Sequence, residues 1–255
     1  MTRNNNNAAI IDPDKLGAPY QSYRWLRPFI PKKLQPLLRG LRRKIQLSFL
    51  HLEEPYKTVY PYTQVSMNRQ TNLYRLSQLI QKEQIEGDLV ECGVLDGGTA
   101  ALMAFATKTS SRQIHLFDAW LGLPKTVEQD GEASKKWIGQ VVGSPKRVIQ
   151  VMNHLSIDMG RVHFYHGWFE DTFPKTKIEK IALLHVDCDF FEPTSLCIQK
   201  WYLSIVSGGY IQFDDYASFE GCTKAVDGFL QKNPELELQT FGNIGQGEAY
   251  YIRKP

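Results

Sequence analysis

The feature that constrains this chain most is a rhythm that starts near residue 88, where short apolar runs alternate with segments of helical spacing and the apolar runs end in acids or glycines. The spacing predicts strands at 88–94, 113–118, 161–165, 181–187 and 210–214, and helices at 97–108, 144–155, 194–206 and 221–231. Runs such as IALLHVD are apolar at consecutive positions rather than alternate ones, which suits parallel strands covered on both faces. The expectation is an α/β domain: a mainly parallel sheet with helices on both faces. The end of the chain reads differently. Segments 236–241 and 248–252, joined by the glycine-rich GNIGQG, predict an antiparallel hairpin closing one sheet edge.

Upstream, Leu73, Leu76, Leu79 and Ile80 give a helix face that ends near Ile85, with Gly87 as its closing residue. Before it, Pro28, Pro31, Pro36, Pro55 and Pro61 break residues 20–68 into a partly helical arm, and four asparagines at 4–7 with Asp12, Pro13, Gly17 and Pro19 make 1–19 a mobile tail. The domain proper is expected over 69–255. The formal net charge is only +3, yet residues 1–50 hold ten Lys/Arg against two Asp/Glu, so the remainder is acidic. Within that basic stretch Leu34, Leu37, Leu38, Leu41, Ile45 and Phe49 recur at three- and four-residue steps, with Arg39, Arg42, Arg43 and Lys44 on or near the other face. The usual arrangement of such a helix packs its apolar side on its own domain or across a subunit contact; the alternative, for residues 34–49, is an anionic membrane surface.

A nucleic-acid partner is not expected, because the basic stretch carries no reader motif and the body is acidic. No apolar run approaches the roughly 18 residues of a membrane span. The N-terminus has no apolar core of a secretory signal, so the expected location is cytoplasmic, membrane-peripheral at most. Cys92, Cys188, Cys197 and Cys222 form no C-x-x-C pair and are read as reduced, packed thiols.

Ligands of open α/β sheets bind outside the carboxyl ends of the strands. The first strand ends in Glu91-Cys92-Gly93-Val94-Leu95-Asp96-Gly97-Gly98-Thr99, a turn where glycines permit close backbone approach to a ligand, but not the G-x-G-x-x-G of a dinucleotide site. The second ends at Asp118, 25 residues after Gly93, where an acid can accept hydrogen bonds from a ribose or cap a turn. The third carries His166-Gly167-Trp168-Phe169, a flat apolar wall for a purine or ordinary core packing. Asp187 and Asp189 close IALLHVD, and Asp214-Asp215 close YIQFD. Four carboxylates at two strand ends repel unless something positive lies between them, and a hard divalent cation such as Mg²⁺ is the economical answer. Neutralisation by Lys200, Lys224 or arginines is the other.

In order and spacing, GDLVECGVLDGGTA, LFDAWLGLP, HGWFEDTFP, LLHVDCDFFEPT and SGGYIQFDDY resemble the macrocin O-methyltransferase family of S-adenosylmethionine-dependent enzymes, from about Tyr62 to the C-terminus. The resemblance implies a class I methyltransferase, Rossmann-like fold with an N-terminal arm, and Mg²⁺-dependent methylation of a sugar hydroxyl on a natural product or glycan bearing vicinal hydroxyls. It further implies that Glu91, Gly93 and Gly97 shape the cofactor loop, Asp118 binds the ribose, and Gly167, Trp168 and Phe169 line the adenine. Thr63, beside Tyr62, belongs to the arm segment that closes over the methionine part. Asp187, Asp214 and Asp215 match the metal ligands and Asp189 the general base, with His185 or His166 as other proton acceptors. Three positions depart from the family pattern: Gln64 stands for a Met, Cys188 for the Gly between two acids, and His185 for a frequent Arg. The arm, 20–68, is the expected lid and subunit contact of a homo-oligomer. Methylation of a catechol or other vicinal diol, and a cofactor-binding protein without catalysis tethered by its basic arm, stay open as alternatives.

Overall fold

The computed structural model describes residues 31, 34–47, 50, 52–243 and 245–255. The tail expected over 1–19 lies outside the described residues, as do residues 20–30 of the arm and Phe49. Alternation along the strand Asp88–Cys92 (β1) decides how the molecule layers: Leu89 joins one core and Val90 and Cys92 the other. The same division runs through Ile114–Asp118 (β2), Val162–His166 (β3), Ile181–Val186 (β4), Ile205–Phe213 (β5) and Ala249–Arg253 (β7), while Gln239–Phe241 (β6) adds only Phe241, to the first core. The first core is completed by helices Met67–Lys82 (α2), Gly98–Ala106 (α3) and Pro145–His154 (α4) through Leu73, Leu76, Ile80, Leu102, Val148 and Val151. The second is closed by Phe191–Trp201 (α5) and Glu220–Lys232 (α6) through Cys197, Ile198, Trp201, Cys222 and Val226. All four cysteines are buried and free of disulfides.

The seven strands lie in the order β3-β2-β1-β4-β5-β7-β6. The first five are mutually parallel, and β7 runs antiparallel to both β5 and β6, so the expected hairpin does close the edge. The chain winds outward from β1 to β3, then crosses back to β4 on the other side of β1. That reversal between β1 and β4 opens a crevice at their carboxyl ends.

Several boundaries differ from the sequence expectation for physical reasons. Helix α2 stops at Lys82, and the left-handed residue that ends it is Gln84 (φ 54°), not Gly87. The helix expected over 194–206 ends at Trp201, whose fully buried ring anchors it, and the strand expected at 210 begins at Ile205. Val59, Tyr60, Tyr62, Val65 and Met67 are buried, so the C-terminal part of the arm is packed core rather than an appendage.

The basic helix Gln35–Leu47 (α1) reverses the usual orientation. Its arginines face the domain: Arg39 donates to Asp96 Oδ2 (2.8 Å) and to the Val142 carbonyl (2.9 Å), while Arg43 donates to the Thr63 carbonyl (2.9 Å) and stacks over Tyr60. Its apolar residues Leu34, Leu37, Leu38, Leu41 and Ile45 are 41–62% exposed. The buried carboxylate of Asp96, which Arg147 approaches at 3.0 Å, gains a second compensating guanidinium from Arg39.

Candidate active site

Two close approaches shape the cleft. Gly93 (φ 89°) lies so near β4 that a Cβ there would meet the Asp187 carbonyl oxygen at 1.6 Å, so only glycine lets the first strand end beside the acids. At Gly98, the first residue of α3, a Cβ would meet Thr63 Cβ at 2.7 Å, which seats the arm segment Tyr62-Thr63 directly on the helix start. The cleft between them measures about 310 Å³.

The structure brings most of the expected residues to this cleft. Thr63, Gly93, Asp118, Gly167, Trp168, Phe169, Asp187, Asp189, Asp214 and Asp215 all line it. Asp118 combines the two roles left open by the sequence. Its Oδ2 accepts from the backbone N–H of Val94 (2.8 Å) and Leu95 (2.9 Å), its Oδ1 from that of Trp120 (2.6 Å), and the carboxylate still borders the cleft. A carboxylate offers about four acceptor positions, so one is left for a ligand. Burial pushes its pKa up although the three backbone bonds oppose this.

Glu91, Gly97 and His185 do not line the cleft. Gly97 shapes the turn from behind, with φ 84° at the start of α3. Glu91 and His185 sit side by side in the β1–β4 register, both fully buried, with Glu91 Oε1 2.7 Å from His185 Nδ1. Each occupies a position that alternation turns into the sheet face rather than the strand end, so neither the cofactor role for Glu91 nor the proton-acceptor role for His185 has access to a ligand. His166 is likewise occupied, its Nε2 3.1 Å from the Ala119 carbonyl.

The acids converge. Asp187, Asp214 and Asp215 each offer an oxygen, and these lie within 4.8 Å of one another. Burial and the facing carboxylates of Asp214 and Asp215 push the Asp187 pKa well up; burial and Asp214 raise Asp215 to about 7. Asp214 differs: although burial opposes it, the Arg69 guanidinium 3.1 Å away and His185 hold it below the usual range. His185 in turn is raised to about 9, because the neighbouring Asp214 and Glu91 outweigh its burial. Asp214 Oδ1 is buried without a close hydrogen-bond donor among the described residues, with His185 Nε2 3.5 Å away. An orphaned anionic oxygen amid three convergent carboxylates fits a hard divalent cation. Asp189 adopts a left-handed backbone (φ 61°), and its N–H donates to Asp215 Oδ2 (2.8 Å).

The sequence left neutralisation of the acids to lysines or to arginines it did not single out, and gave no site role to residues 125–144. Arg69, on α2, reaches Asp214, the Ser218 hydroxyl (2.5 Å) and the Glu248 carbonyl (3.1 Å), partial neutralisation that neither Lys200 nor Lys224 supplies. The segment 119–144 walls one side with Leu123, Pro124, Trp137 and Val141, and Trp137 meets the Phe219 ring edge-on at 6.3 Å. Buried Asp130 pins this segment, accepting from the N–H of Val127 (2.8 Å) and of Phe191 at the start of α5 (2.7 Å).

A family model described as Macrocin-O-methyltransferase (TylF) matches residues 54–250. Demethyldecarbamoylnovobiocin O-methyltransferase of Streptomyces niveus is 29% identical over 180 residues, 67% of this chain and 68% of that protein. Mycinamicin III 3''-O-methyltransferase of Micromonospora griseorubida is 27% identical over 191 residues, 71% and 74% of the two chains. Among solved structures, the O-methyltransferase NovP is similar with a TM-score of 0.68 at 24% identity, over 88% of this chain and 99% of that one. The calicheamicin methyltransferase CalS11 follows with 0.61 at 19%, over 89% and 96%. These likenesses show the same Rossmann-like fold.

Proposed function

The chain belongs to the macrocin O-methyltransferase family and is an O-methyltransferase, and from that premise we propose that it methylates a sugar hydroxyl of a natural product or glycan, using S-adenosylmethionine and Mg²⁺. The observation that carries the reading is one cleft with two chemistries in its lining: Asp118 and Trp168, and the convergent Asp187, Asp214 and Asp215 beside Gly93. The named relatives of Streptomyces niveus and Micromonospora griseorubida are O-methyltransferases of antibiotic-type substrates, which supports a sugar-bearing acceptor.

When bound, S-adenosylmethionine supplies an electrophilic methyl group. Asp187, Asp214 and Asp215 would hold Mg²⁺, which would supply positive charge that makes an acceptor hydroxyl easier to deprotonate. The chain's own residues do the rest. The remaining acceptor position of Asp118, whose carboxylate three backbone N–H groups hold in place, orients the ribose, and Trp168 with Phe169 provides a flat wall for the adenine. Thr63, held against Gly98, keeps water from that end of the cleft. Asp189, on the lining beside the metal acids, takes the proton of the attacking hydroxyl. Trp137 and Phe219 offer apolar faces against which a sugar ring can lie.

The test is calorimetric titration of S-adenosylhomocysteine with Mg²⁺ and with chelator, then transfer of a labelled methyl group to sugar and catechol acceptors. Micromolar binding with Mg²⁺-dependent labelling of the sugar is expected. Absence of binding in both conditions, or labelling of catechols alone, would overturn the reading.

A further inference from the structure

We propose that Glu91 and His185 are positioning residues: as a buried pair behind the strand ends, they hold the Asp214 carboxylate ready for a divalent cation. The role presupposes the metal site proposed above. Neither residue lines the cleft, yet both are fully buried in the middle of the sheet, directly opposite each other in the β1–β4 register. Such a pair is a poor device for stability, because apolar side chains of similar volume commonly serve as well or better in its place. Its surroundings give it another use. Glu91 Oε1 lies 2.7 Å from His185 Nδ1, which fixes the ring, and the other ring nitrogen, Nε2, stands 3.5 Å from Asp214 Oδ1.

Asp214 is held at its other oxygen as well. Arg69 donates to Oδ2 at 3.1 Å, so the carboxylate is caught between a guanidinium and an imidazole and cannot turn without leaving one of them. Both holders belong to one polar row. Gln212, beside His185 in the β4–β5 register, donates to the Arg69 carbonyl (3.2 Å) and accepts from the Asn72 amide (2.9 Å), and Asn72 and Gln212 are themselves fully buried. Glu91, His185 and Gln212 therefore cross three strands side by side, with His185 two residues before Asp187 and Gln212 two before Asp214, the spacing that turns side chains to the same face of a strand. The line from Glu91 ends on Asp214 Oδ1, an anionic oxygen still without a close donor. Outer partners of this kind set the orientation of the groups that bind a metal, and losing one costs about 10–100-fold in metal affinity.

The test is binding of Mn²⁺ to the full chain, followed by electron paramagnetic resonance and competed with Mg²⁺. The wild type is expected to bind, and His185→Gln and Glu91→Leu to bind about 10–100-fold more weakly. Their affinity for S-adenosylhomocysteine should stay that of the wild type, because neither side chain reaches the cleft. Glu91→Gln keeps an oxygen that can accept from the imidazole and should stay close to the wild type in Mn²⁺ affinity, a rescue that a loss of packing alone would not produce. Variants that bind both S-adenosylhomocysteine and Mn²⁺ as the wild type does overturn the proposal and leave the metal site standing. A wild type that binds no Mn²⁺ overturns the metal site, and the proposal with it. Where His185→Gln does not fold, the wild type still decides: with isotope-labelled imidazoles, the solvent-protected ring resonance of His185 should shift on saturation with Mg²⁺ and not with S-adenosylhomocysteine. A resonance that Mg²⁺ leaves in place overturns the proposal.

Discussion

Asp118 shows how one side chain serves the fold and the site together. Its three backbone donors belong to the turns after β1 and β2, so removing the carboxylate leaves N–H groups without an acceptor just where a cofactor would lie. Each buried orphan is worth about 1–3 kcal/mol, and since water reaches part of the cleft the low end applies. Asp118→Ala is expected to lose about 3 kcal/mol in denaturant unfolding and to bind S-adenosylhomocysteine at least about tenfold more weakly in calorimetry. Asp189 should behave oppositely, because its backbone N–H, not its carboxylate, holds Asp215. Asp189→Asn is expected to lower kcat about a hundredfold or more, the usual worth of a general base, with cofactor affinity nearly unchanged; a large loss of cofactor affinity would remove it from that role. The acids at the strand ends were legible in the sequence because apolar runs announce where strands stop. Arg69 was not, since it comes from a helix 145 positions before Asp214, and nothing local in its helix indicates that contact. Nor was the withdrawal of His185 and Glu91 from the cleft, which follows from their facing each other across β1 and β4.

At the scale of elements, the periodicity of α1 was readable but its orientation was not, because a hydrophobic stripe says nothing about a buried acid elsewhere that demands arginine. Segment 119–144 is the converse case. It has little regular structure, only short 3₁₀ turns, so periodicity passes over it, yet it forms one wall of the cleft. Backbone bonds between Leu123 and Gly139–Gln140 close it on itself, and one carboxylate ties it to α5. The residue before α5, Phe190, gives its helix no side-chain cap, and Asp130 supplies one from a distance by accepting the Phe191 N–H. The acid also sits at the positive end of that helix. Asp130→Ala is expected to cost about 2 kcal/mol of stability, measured by urea unfolding. Because the wall carries Trp137, the same variant should raise KM for the acceptor severalfold while leaving S-adenosylhomocysteine affinity in place. Equal losses in both affinities would mean that the segment supports the whole cleft rather than the acceptor side.

For the whole molecule, the reversal of strand order between β1 and β4 places the functional groups on the ends of five strands and on the arm, so ligands bridge parts of the chain that are far apart in sequence. Thr63 precedes β1, while Asp214 and Asp215 follow β5. A ligand in such a cleft binds only the folded state, and at a hundred times its Kd it adds about 2.7 kcal/mol. For a chain of this size that corresponds to a rise in Tm of about 5–10 °C, readable by calorimetric melting with saturating S-adenosylhomocysteine. Mg²⁺ should add a second, separate increment, because it relieves the repulsion among Asp187, Asp214 and Asp215 that raises Asp187 and Asp215 in the metal-free protein. Asp215→Asn removes one of the carboxylates proposed to hold the cation, so it should keep the S-adenosylhomocysteine increment and lose the Mg²⁺ one. If the variant retained the Mg²⁺ increment, the cation would be stabilising some other part of the molecule, and the three acids would have to be explained by Arg69 and His185 alone.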